Sequence, residues 1–179
     1  MLDKPLITLI RNALIAGEAV ANIAGLPIKQ AFQPTQQGVN SEPTAYIFKI
    51  SDKRYGFPYK ADVWDANNQI MVHTELQQYE TTFQISALST QDPSDLTSYT
   101  ASDILNSIAY ILQSDTTIKT LQASEVGILR IMDVRNPHFQ DDRQRNEASP
   151  SLDFTVTHKQ IISTSSPTIT KTEFQILTV

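Results

Sequence analysis

Arg135-Asn136-Pro137-His138-Phe139-Gln140-Asp141-Asp142-Arg143-Gln144-Arg145-Asn146-Glu147-Ala148-Ser149-Pro150-Ser151-Leu152-Asp153-Phe154 is the stretch around which the rest of the chain is arranged. It leaves an apolar strand, Ile128-Leu129-Arg130-Ile131-Met132-Asp133-Val134, and enters an alternating one in which Leu152, Phe154 and Val156 share a face. Between them, from Gln140 to Glu147, there is no apolar side chain. Burying such a run unpaired would cost more than the net stability of a domain. It therefore lies in water or against a partner. A solvated loop is one reading. The other is a contact between subunits, because Asp141, Asp142, Arg143, Arg145 and Glu147 interleave both signs and identical copies around a ring can pair acid with base. Arginine suits that contact, since its planar fork binds a carboxylate through two bonds. The pattern alone does not choose between the two.

Working outward, the N-terminal segment predicts an amphipathic helix over about Lys4 to Ala16. Asp3 stands as its cap and Pro5 in its first turn, and Leu6, Leu9, Ile10, Ala13 and Leu14 form a stripe. Gly17 is expected to loosen its end, and Gly25-Leu26-Pro27 to stop any continuation. Ile28 to Gln33 and Ala45 to Ser51 read as strands, as do Gln69 to Leu76 and Thr81 to Leu88; Asp65-Ala66-Asn67-Asn68 supplies a turn. A second helix begins at Thr100 or Ser102 and carries Ile104, Leu105, Ile108, Ile111 and Leu112, a stripe wide enough to cover a sheet face. Thr116 to Ser124 reads as a shorter helical turn or an edge segment. After Leu152, Ser165-Ser166-Pro167 turns the chain and Thr170 to Val179 returns as an antiparallel partner. The expected class is α+β: an antiparallel sheet, two main helices packed on it and a C-terminal β-hairpin.

One segment stands apart. Lys53-Arg54-Tyr55-Gly56-Phe57-Pro58-Tyr59-Lys60 interleaves cations with aromatics, a pattern that suits stacking on nucleic acid. The alternative is an exposed hairpin extension whose aromatics pack on a neighbour, and the overall charge favours it. The chain is acidic, with net charge −5 and pI about 5.1, and an isolated patch neutralises few phosphates. Lys53, Arg54, Tyr55, Phe57, Tyr59 and Lys60 are accordingly read as a partner-facing patch.

At 179 residues the chain has the length of one domain, 1–179, with an extended charged loop at about 135–151. Only 18% of residues are charged, so the surface leans on Thr, Ser, Gln and Asn, as in a β-rich protein or one that hides surface in an assembly. The absence of cysteine excludes disulfides and thiolate chemistry. The N-terminal residues lack the basic region of a signal peptide and no run reaches the length of a membrane span, so a soluble compartment is expected.

No enzyme signature emerges. The glycines form no phosphate-cradling motif. His73, His138 and His158 are far apart in sequence; His138 precedes Asp141 by three residues, too weak a pattern to assign a metal. Glu75 and Glu80 could approach across a hairpin as paired carboxylates, but further partner groups for acid–base work are lacking. No catalytic, cofactor-binding or metal residue is assigned.

The segment Asn136 to Glu147, followed by Ser149-Pro150-Ser151-Leu152-Asp153-Phe154, resembles the signature of bacteriophage neck and tail-terminator proteins. The similarity extends more weakly over the chain's helix, sheet, helix and hairpin order. The resemblance implies a structural virion protein, built in the host cytoplasm. Its subunits form a ring, a hexamer in that family, that caps the tail tube and meets the head-side connector. It also implies contacts with tube protein and with sheath where one exists, and a channel through which DNA passes without specific binding. Asp141, Asp142, Arg143, Arg145 and Glu147 would then lie at the subunit interface. The alternatives are a head-closure, tube-initiator or baseplate subunit and, from another class, a monomeric nucleic-acid or ligand-binding module using residues 53–60.

Overall fold

The computed structural model describes residues 1–30, 42–89, 99–140, 146–148 and 150–167. The first helix, α1 (Asp3–Gly17), buries Leu6, Ile7, Ile10, Ala13 and Leu14; of the expected stripe Leu9 is only partly buried, and Ile7 joins it. Leu2, not Asp3, occupies the N-cap, with no side-chain cap bond. Asp3 instead sits in the first turn, where its charge suits the helix dipole and its carboxylate accepts from Lys49 at 2.6 Å. Gly17 does not loosen the end: its missing Cβ lets a second helix come close. The chain then turns at Gly25 (φ 81°), whose N–H donates to the buried Glu18 carboxylate at 3.0 Å.

Helix α2 (Ala101–Gln113) opens with a reciprocal cap, in which Thr100 Oγ1 accepts from the Asp103 N–H and the Asp103 carboxylate accepts from the Thr100 N–H. A third helix, α3 (Asp115–Gln122), follows Ser114, whose hydroxyl accepts from the Thr117 N–H. The segment read as a short helical turn is thus two full turns, with Thr117 and Leu121 buried.

Strands β1 (Ile28–Gln30), β2 (Thr44–Asp65), β3 (Ile70–Leu88), β4 (Gly127–Ile131) and β7 (Ser151–Pro167) form one sheet in the order β1-β2-β3-β7-β4. The α+β class and the packing of helices on a sheet are as the sequence predicts. One edge differs: β1 runs parallel to β2, Ile28 opposite Ala45, so the sheet is mixed. Residues 31–43 supply the dozen or so positions that a parallel connection needs. The three segments read as strands between Ala45 and Leu88 belong to two long ones, β2 and β3, joined where the Asp65 carboxylate accepts from the Asn67 and Asn68 N–H groups. β7 also runs on through Ser165 and Ser166 to Pro167, pairing with β3 from Ser151 opposite Ser86 to Pro167 opposite Ile70. The returning strand expected from Thr170 to Val179 lies outside the described residues. A separate pair, β5 (His138–Gln140) and β6 (Asn146–Ala148), stands within the charged stretch.

The core lies where the helices meet one face of the sheet. Ala45 and Ile47, Phe83, Ile85 and Ala87, and Leu152, Phe154 and Val156 pack with Leu6, Ile10, Leu14, Ile104, Leu105, Ile108 and Leu112. Phe83 and Phe154 stack across paired strands with centroids 5.6 Å apart. Each such side chain stabilises the fold by about 1.5–3 kcal/mol through burial, which is what anchors the strands before they leave the body.

Candidate docking surface

Beyond the core the three central strands keep their ladder without a covering helix among the described residues. Every β2 residue from Ser51 to Lys60 is exposed, and β3 and β7 accompany β2 to the turn at Asp65. At about 3.3 Å per residue, the run from Asp52 to Asp65 reaches roughly 40 Å. The result is a three-stranded arm.

Its base is held by a polar network. Lys49 Nζ donates to Asp3 at 2.6 Å and to Asp52 at 2.7 Å; Thr81 Oγ1 donates to the other Asp52 oxygen at 2.6 Å and meets His158 Nε2 at 2.9 Å. Tyr79 stacks on the His158 ring, 5.6 Å away and nearly parallel. Hydrogen bonds to Asp3 and Asp52 raise the Lys49 pKa. Burial pushes the Asp52 carboxyl upward, but the bonds from Lys49 and Thr81 outweigh it and the net shift is downward. Burial, and then the N-terminal ammonium beside it, lowers the His158 pKa.

Because residues opposite one another in a ladder point to the same side, the register assigns the arm two faces. On the face continuous with the core, Lys60 pairs with Glu75 at 3.0 Å and Trp64 lies opposite Met71. His73 bridges Asp62 (Nδ1, 2.7 Å) and Ser166 (Nε2, 2.8 Å) across three strands. That trio lies on an open sheet face and ties β2, β3 and β7 together. It is a clasp. The opposite face carries two apolar rows, Tyr59, Leu76 and Ile161 in one and Val63 and Val72 in another, separated by Ala61, Thr74 and Ser163. Tyr59 is 68% and Ile161 54% exposed. At the irregularity between Tyr55 and Tyr59, Phe57 stands 98% exposed beside Gly56 (φ 65°) and Pro58, which interrupt further strand pairing along that edge.

The predicted partner-facing residues lie on a strand and not between strands, and the register divides them: Arg54 and Lys60 share the face of Tyr79 and Glu75, Lys53, Tyr55 and Tyr59 take the opposite one, and Phe57 stands at the irregularity. Lys53 faces Glu80 at 3.8 Å, so Glu75 and Glu80 each answer a lysine. The two glutamates lie five residues apart on β3 and form no carboxylate pair across a hairpin. Asp141, Asp142, Arg143 and Arg145 lie outside the described residues, and Glu147 is on β6 with Phe139 opposite. No group of three metal-ligating side chains occurs among the described residues. No described helix is long and apolar enough to cross a membrane.

A family model described as the E217 gateway protein gp29 matches residues 5–168, from the first turn of α1 through the end of β7. The chain belongs to that family. The match places α1, the whole arm and the charged stretch within the gateway-protein unit, and it bears out the resemblance to phage neck and tail-terminator proteins. No curated protein matches this gateway-family chain. Among solved structures it is similar to the sheath/tube terminator of PVC, an extracellular contractile injection system, in its extended state. Identity is 12%, the TM-score 0.50, and the alignment covers 97% of this chain and 64% of that one. The likeness is one of fold, and this chain spans less than two thirds of the terminator's length.

Proposed function

We propose that the protein is a structural virion component, a tail-terminator or neck subunit. Copies of the chain, each a single domain, assemble into a ring, a hexamer in the simplest case, on the last layer of the tail tube. The ring ends tube growth and offers its far side to the head connector. Family membership over residues 5–168 and a terminator-like fold support this reading. The observation that carries it is the arm: a 40 Å ribbon with the row Tyr59, Leu76 and Ile161 open to water is a surface that a lone soluble subunit would not keep. It belongs in an assembly, against other copies, tube protein or sheath. Asp141, Asp142, Arg143, Arg145 and Glu147 add mixed-sign pairs between neighbours, and the acidic balance lets DNA traverse the channel without sticking.

The arm's charges speak against a nucleic-acid module. Lys53, Lys60 and Lys159 are answered by Glu80, Glu75 and Glu125, and of the ribbon's Lys and Arg residues Arg54 alone has no ion pair among the described residues. Such a surface releases few counterions from a phosphate backbone. The deciding experiment is electron microscopy of particles assembled without this protein. Headless tubes of uncontrolled length are expected; normal joined particles would remove the reading.

A further inference from the structure

The arm's most exposed aromatic has a matching recess on the same chain. Between α1, α2 and α3 a groove of about 230 Å³ is lined by Ala13, Ala16, Gly17, Val20, Tyr110 and Thr117, among others. Small residues form its floor, while Val20 (74% exposed) and Tyr110 (59%) stand on its rim. An apolar cavity of about 150 Å³ already accepts a benzene ring, so the groove has room for one phenyl side chain.

Charge matches as well as size. α1 ends at this groove with no basic residue in its last turn, so its carbonyl end presents partial negative charge there, whereas the carbonyl end of α2 is met by the N-terminus of α3, which Asp115 begins. On the arm, Arg54 lies three residues from Phe57 and has no ion pair among the described residues. Distance prevents the chain from filling its own groove. α1 starts at the arm's base, where Asp3 meets Lys49, and Ala16 lies thirteen residues further along it, roughly 20 Å away over the body. The arm leaves that base uncovered, so knob and recess fall at opposite ends of the subunit.

Resting on the ring reading above, we propose that the arm's partner is a second copy of this chain, with Phe57 seated in the neighbour's α1–α2–α3 groove and Arg54 against the carbonyl end of its α1. Each copy carries one knob and one recess, the head-to-tail arrangement that closes into a ring. The cysteine-free chain makes the test direct. Phe57→Cys and Ala16→Cys combined in one chain, oxidised in the purified protein and in assembled tails, are expected to give a ladder of covalent multimers on denaturing gels. Neither single variant should pass a dimer. Phe57→Ala should raise the concentration needed for half-assembly by about tenfold or more, as truncation of an interface anchor does. Its circular dichroism and melting temperature should match the parent, because the ring is already in water. Full-mass rings without a ladder, or Phe57→Ala rings forming at parental concentrations, would overturn this contact and leave the ring reading intact. A chain that stays monomeric everywhere and gives no ladder would remove both.

Discussion

Ile111 of α2 occupies the space in which Gly17 of α1 would carry a Cβ: a carbon built there would stand 2.4 Å from Ile111 Cγ2 and 3.1 Å from Cγ1. Gly17 has no left-handed φ to protect, so the missing side chain serves packing between helices and not backbone freedom. Gly17→Ala should overpack that contact and lower stability by about 1–3 kcal/mol, despite alanine's better helix propensity. A denaturant midpoint at or above the parent's would contradict it. In an Ile111→Ala background Gly17→Ala should cost less than in the parent, since the two sites touch.

Asp52 ties the arm's base to the body. Its folded pKa lies below the usual carboxylate value of 3.8, so its contribution to stability is present above that pH and fades as pH falls through the lowered value. Asp52→Asn should therefore be less stable than the parent at neutral pH, by about 1–3 kcal/mol for a hydrogen-bonded charge. The two stability curves should converge in acid. Denaturation series from neutral pH downward measure this, and a gap that persists unchanged at the acid end would refute it.

Glu18 carries the opposite sign. It is 5% exposed, its Oε1 is buried without a hydrogen-bond partner, and burial raises its pKa despite bonds from the Gly25 and Leu26 backbone. A raised acid contributes stability below its unfolded pKa of 4.5 and loses that contribution as pH climbs through the folded value. Glu18→Gln keeps an acceptor for Gly25 and removes the charge. It should melt higher than the parent at neutral pH, with the advantage disappearing below the ordinary glutamate range.

Arg143 and Arg145 provide a test of the charged stretch that does not depend on the arm. Replacing both with Ala should lower the assembled mass seen by light scattering at physiological salt while circular dichroism stays unchanged. Rings of parental mass would assign the stretch to solvent.

Much of the body is legible in the chain. The stripe Leu6, Ile10 and Leu14, the start of a second helix at Thr100 or Ser102 and the Asp65 turn are local patterns, and local patterns carry through to structure. What the sequence hides is set at a distance. Residues 53–60 break up strand propensity with Gly56 and Pro58, yet the strand continues across them because β3 pairs with β2 on both sides of the irregularity, up to Tyr55 and again from Tyr59. The parallel pairing of Ile28 with Ala45 and the fit of Gly17 to Ile111 depend on partners far along the chain. The exposed aromatics were readable as a patch; the groove was not, because α1, α2 and α3 each supply only part of its wall.

The arm's length has a mechanical consequence. A stiff ribbon of about 40 Å pivoting at Lys49 and Asp52 works as a lever: a tilt of about five degrees at its root sweeps the far turn by about 3–4 Å, one strand residue's rise. Slight reorientation at the arm's root is thereby geared up into a whole step at the tip.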